Sequence, residues 1–159
     1  VEAFVMTTSG APRSGAGSGT VIMAGRLWAG GAATACVAAL VAAVGVLLFS
    51  SVLDVKLVQP PLLLTPTGSL AVNYALTAFV AALVATGVAH LLVATTPRPR
   101  LFFGWIVGLA TVAAMVVPFA ADASVAAKVC TAAINLVVGL AIGSLLTGVL
   151  SRTVVRTGR

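Results

Sequence analysis

Few residues in this chain have the types and spacing to do chemistry, and His90 is the first to weigh. It is the only histidine, and it lies inside an apolar run, "TGVAHLLVAT". An imidazole titrates near neutrality, and an ionisable group within hydrocarbon is a functional candidate by default. Proton relay or a metal contact is the chemistry it would do. No second histidine, carboxylate or cysteine is spaced to join it, and the acidic residues Glu2, Asp54 and Asp122 fall outside the apolar runs. The expectation is therefore an interfacial hydrogen bond, with Thr86 one helical turn away as its partner.

A second constellation runs through Lys128, Thr131, Asn135, Gly139, Gly143 and Thr147. Steps of three and four keep these positions on or near one face of a helix. Two roles compete. Lys128, Thr131 and Thr147, with His90, would be the groups of a polar path for a solute. Alternatively, the face packs one helix on another, within the bundle or between copies. "GLAIG" at 139–143 is a GxxxG spacing, "SLLTG" extends the small-residue surface to Gly148, and "GWIVG" gives Gly104 and Gly108 the same spacing. Small residues let membrane helices approach closely while an asparagine hydrogen-bonds across the contact. A path would call for charged or several buried polar groups, so packing is favoured. Gly30 and Gly31 are expected to seat the first helix in the same way, and Lys128 to snorkel to the headgroups.

Other chemistry has no residues to carry it. No serine or cysteine has a base beside it, no ligand spacing suits zinc or haem, and no glycine loop is built to cradle phosphate. No catalytic residue, metal or cofactor is expected, and the protein is read as a non-enzyme. Cys36 and Cys130 fall at depths that differ by about 14 Å at helical rise. That exceeds the roughly 7 Å a disulfide spans, so both are expected to be buried structural thiols.

The elements that must position these residues follow from composition. Of the 159 residues, 60% are apolar and 8% charged, with a mean hydropathy of +1.18. Soluble domains carry about 25% charged residues, so lipid must be the solvent for much of this surface. The net charge of +6 does not point to nucleic acid, because the basic residues cap apolar runs and form no stripe with interleaved aromatics.

A bilayer core of about 30 Å needs about 20 helical residues. Four runs meet that length, at about 27–50, 69–95, 101–121 and 125–150. The first outlasts the apolar core of a signal peptide, about 7–15 residues, so an uncleaved span is expected. Residues 1–26, rich in Gly, Ser and Thr, read as a flexible tail, in which Val1 fits a GTG start with Met6 or Met23 as alternatives. The 51–68 connection contains Pro60, Pro61 and Pro66 and cannot be one helix. Its "LLL" is expected at the interface or against a neighbouring helix. Pro118 falls near the end of the third run, where a lost backbone bond costs least. "VAALVA" occurs at 37–42 and again at 80–85, which is treated as composition. The fold class expected is all-α, a four-helix transmembrane bundle with antiparallel neighbours.

Charge orients it. Arg13 and Arg26 precede the first run, Arg98 and Arg100 separate the second from the third, and Arg152, Arg156 and Arg159 follow the fourth. The opposite side holds Lys56 and Lys128 with Asp54 and Asp122. The positive-inside bias puts both termini, including the basic 152–159 tail, and the "TPRPR" turn in the cytoplasm. Trp28, Phe102, Phe103 and Trp105 mark the inner ends of their runs as interfacial aromatics do, and Phe49, Tyr74 and Phe119 the outer ends.

Through "RLWAGGAATA" at 26–35, "HLLVATTPRPRLFFGWIVGLATVAAMVVP" at 90–118 and "AAKVCTAAINLVVGLAIGSLLTGV" at 126–149, the chain resembles a family of small four-span membrane proteins from actinobacteria. That family is catalogued as a domain of unknown function. The resemblance implies an integral membrane four-helix protein and supplies no activity. Expected surroundings are the lipid bilayer of a bacterial plasma membrane, with a second copy or another membrane protein as partner. No nucleic acid is expected, and no small-molecule substrate can be named. The expected function is a structural, accessory or self-associating membrane subunit. The alternative is a small transporter or channel component using the polar face of the fourth run.

Overall fold

The computed structural model describes residues 24–60 and 68–153. The expected N-terminal tail up to residue 23, the "LLL" of the first connection and the basic tail beyond residue 153 lie outside the described residues. Four helices make up the fold, with no strand among the described residues: α1 (Ala24–Leu47), α2 (Leu70–Thr95), α3 (Pro99–Val116) and α4 (Val125–Thr153). A π-helical turn, Leu48–Val52, prolongs α1, and a 3₁₀ turn, Val117–Ala120, prolongs α3. All four are long and apolar enough to cross a membrane. Each expected run overlaps one of them, and counting the π and 3₁₀ turns the ends differ by at most three residues.

Local chemistry sets the ends. Thr96, held extended before Pro97 (φ −122°, ψ 137°), gives its N–H to the Leu92 carbonyl at 2.9 Å and stops α2. A residue before proline is driven out of the helical region in this way. Pro99 then opens α3 at its first position, where a missing N–H costs nothing. Ser124 caps α4, its Oγ accepting the Ala127 N–H at 3.2 Å. Asp54 takes a positive φ of 51°, tolerable for a short polar side chain, where the chain turns back after α1.

Packing follows small residues. α1 is the centre: it lies against α2 along its most extensive contact and against α4 on another side, and α3 joins through α4. Ala35, Ala38 and Ala42 of α1 and Ala78, Ala82 and Ala89 of α2 are buried in one core with Leu27, Val46 and Phe103. The repeated "VAALVA" is buried through Ala38 and Ala42 in α1 but through Ala82 in α2, so its two copies do not play equivalent roles. One expectation is modified. α2 and α3, joined by a three-residue turn, touch only sparsely along their lengths. The small-residue face of α2 is already committed to α1, and α3 buries only Phe103 over its α-helical length. The outer surface is apolar, with Leu40, Val44, Val84, Trp105, Leu109 and Leu140 all exposed, which suits a hydrocarbon surround.

Candidate functional site

The polar face of α4 is tied up inside the chain. Asn135 donates its amide Nδ2 to the backbone oxygen of Ala114 at 2.6 Å. In an α-helix that carbonyl would receive the N–H of the residue four positions on, and that residue is Pro118, which has none. Asn135 thus supplies the donor that Pro118 lacks, at a helix end in an apolar setting where an unmet carbonyl is costly. Below it, a Cβ at Gly139 would collide with the Thr111 side chain, and one at Gly143 would stand 3.2 Å from Val107 Cγ1. These three positions seat α3 on α4.

Thr131 forms a clamp with the first connection. Its Oγ1 accepts the Val58 N–H at 3.2 Å, and its side chain is hydrogen-bonded to the Tyr74 hydroxyl. Tyr74 also donates to the Val58 carbonyl. With Leu57 buried beneath, this pins residues 57–58 across α2 and α4. In the sequence the clamp is signalled only by a lone tyrosine near a helix end. Lys128 is half-buried one turn before Thr131, and Thr147 is half-buried near the other end of α4.

His90 departs from expectation. Its Nδ1 is buried without a hydrogen-bond partner among the described residues, and its ring lies 6.4 Å from that of Trp28, tilted by 49°. Thr86 is not its partner: the threonine hydroxyl donates to the Ala82 carbonyl at 2.8 Å, and its side chain fills the space a Cβ at Gly31 would need. Gly30 is equally tight, with a Cβ there only 2.7 Å from Val149 Cγ1. The two cysteines are unpaired, and Cys36 is exposed rather than buried.

Gly104, Gly108 and Gly148, expected to pack helices within the bundle or between copies, meet no helix of this chain. All three are exposed, and a Cβ at any of them would meet nothing within 4 Å. On α3, Gly104 and Gly108 flank the face that Val107 and Thr111 turn to α4, and no side chain of the described residues stands over them or over Gly148 of α4. Arg26, Arg98, Arg100 and Arg152 are all exposed and gather at the end of the bundle where α1 and α3 begin and α2 and α4 finish. Among the described residues, the carboxylates Asp54 and Asp122 belong to the opposite end.

Where α2 and α3 part, a cavity of about 430 Å³ opens. Val84, Val88 and Ile106 are among its lining residues, with Phe103 towards the arginine end and Tyr74 and Asn135 towards the other. His90, Lys128, Thr131 and Thr147 do not line it, so the residues of the conceivable polar path do not converge there. No group of three or more metal-ligating side chains occurs among the described residues.

A model of a family of unknown function, DUF6069, matches residues 22–152. Neither the curated proteins nor the solved structures contain a match.

Proposed function

The chain belongs to the DUF6069 family, and from that premise we propose that it is a non-catalytic membrane subunit acting through helix–helix contacts, with copies of itself or with another membrane protein. One observation carries the proposal. α3 buries a single side chain over its α-helical length and leaves the Gly104–Gly108 spacing open on its outer side, the kind of surface on which a further membrane helix packs. What favours this over transport is that Asn135, Thr131 and Gly139, the centre of the conceivable polar face, are engaged in internal contacts.

We place the protein in a bacterial plasma membrane with the arginine end cytoplasmic, on the positive-inside asymmetry. An alkaline phosphatase fused after Arg159 should therefore stay inactive in cells, and an active fusion would reverse the orientation. Purification in mild detergent with native mass analysis should yield particles holding more than one polypeptide. A lone monomer in every detergent tried would remove the proposal.

A further inference from the structure

We propose that the cleft between α2 and α3 is a binding site for an anionic phospholipid, one acyl chain lying in the cleft and the phosphate at Arg98 and Arg100. Size selects the occupant. From Tyr74 to Val88 along α2 the cleft runs about 21 Å at helical rise. Its 430 Å³ is the space open to the centre of a water molecule; spread over that length and widened by a water radius of about 1.4 Å on each side, it gives a channel averaging about 8 Å across. Non-bonded carbons settle about 3.5–4.0 Å apart, so such a channel has room for extended hydrocarbon chain. A helix, about 10–12 Å wide with its side chains, does not enter it.

The lining matches a tail. Val80, Val84, Val88, Ile106 and Val138 are apolar, and the hydroxyls of Thr77 and Thr111 are bonded to their own helix carbonyls at 2.8 Å. The headgroup position follows from the turn. Residues 96–98 join the two helices that wall the cleft, and Arg100 precedes Phe103 by one turn on the same side of α3. Both Arg98 and Arg100 are exposed, and the described carboxylates lie at the far end of the bundle. Neither arginine lines the cleft; both stand just beyond its Phe103 end, on the turn and at the start of α3, where two guanidinium groups select a lipid phosphate with net negative charge.

The test uses the full chain in phosphatidylcholine vesicles with a trace of phosphatidylglycerol or phosphatidylcholine bearing a photoactivatable acyl chain, adducts being mapped by mass spectrometry. In wild type, the phosphatidylglycerol probe should label several-fold more than the phosphatidylcholine probe, on cleft-lining residues of α2 and α3. Substituting Arg98→Gln with Arg100→Gln should bring the two probes to parity. Ala81→Phe and Ala110→Phe, both at exposed positions in the lining, should reduce cleft adducts from either probe several-fold. Wild-type mapping decides the matter even if a variant fails to fold. Equal labelling by the two probes, or adducts spread evenly onto Leu40, Val44 and Leu140 outside the cleft, overturns the proposal.

Discussion

Asn135 does two things at once, bridging α3 to α4 and replacing the donor missing at Pro118. Substituting Asn135→Leu leaves the Ala114 carbonyl unmet in apolar surroundings and should cost about 1–3 kcal/mol of stability. Pro118→Ala restores an N–H four residues after Ala114. It should therefore recover most of that loss in the Asn135→Leu background while changing little alone, a non-additivity that unfolding in detergent by a double-mutant cycle would show. Additive effects would mean the two residues act independently. The packing role of Asn135 was legible from its spacing with Gly139 and Gly143. Its partner was not, because the register of α4 against α3 is a tertiary fact. His90 was legible as an oddity, but its pairing with the Trp28 ring depends on how α1 crosses α2, which no local pattern records.

Among the elements, the glycines divide by what stands opposite them. Gly31→Val forces a side chain into the space of Thr86 at the α1–α2 contact and should cost about 1–3 kcal/mol through overpacking, lowering the unfolding midpoint. Gly104→Val and Gly108→Val meet open space and should leave the midpoint of the isolated chain unchanged. A fall for the α3 variants equal to that for Gly31→Val would contradict the helix arrangement. The four spans could be read from apolar length alone, because hydrocarbon demands about 20 helical residues. The order of packing could not. The α1–α2 seam is made of alanines, which look alike on every face of these helices, so the eye goes to the rarer GxxxG spacings. Of those, 139–143 packs internally and 104–108 does not.

Taken whole, the molecule is a bundle open along one side. α1 is enclosed by α2 and α4, α3 hangs on α4, and the gap between α2 and α3 is left to an apolar occupant. Composition made the membrane setting plain, since 8% charged residues cannot clothe a surface in water. Composition was silent on the opening, because it arises from which faces are already taken. The proposed role, contact between membrane helices through the outer side of α3, is tested most directly in a bilayer. Chains labelled with donor and acceptor fluorophores and reconstituted in vesicles, alone or with the protein that co-purifies, should transfer energy at dilutions where random proximity gives none. Gly104→Ile with Gly108→Ile should abolish that transfer while helix content and unfolding midpoint stay at wild-type values. Transfer unchanged by the double substitution, or absent from wild type under both conditions, would contradict it.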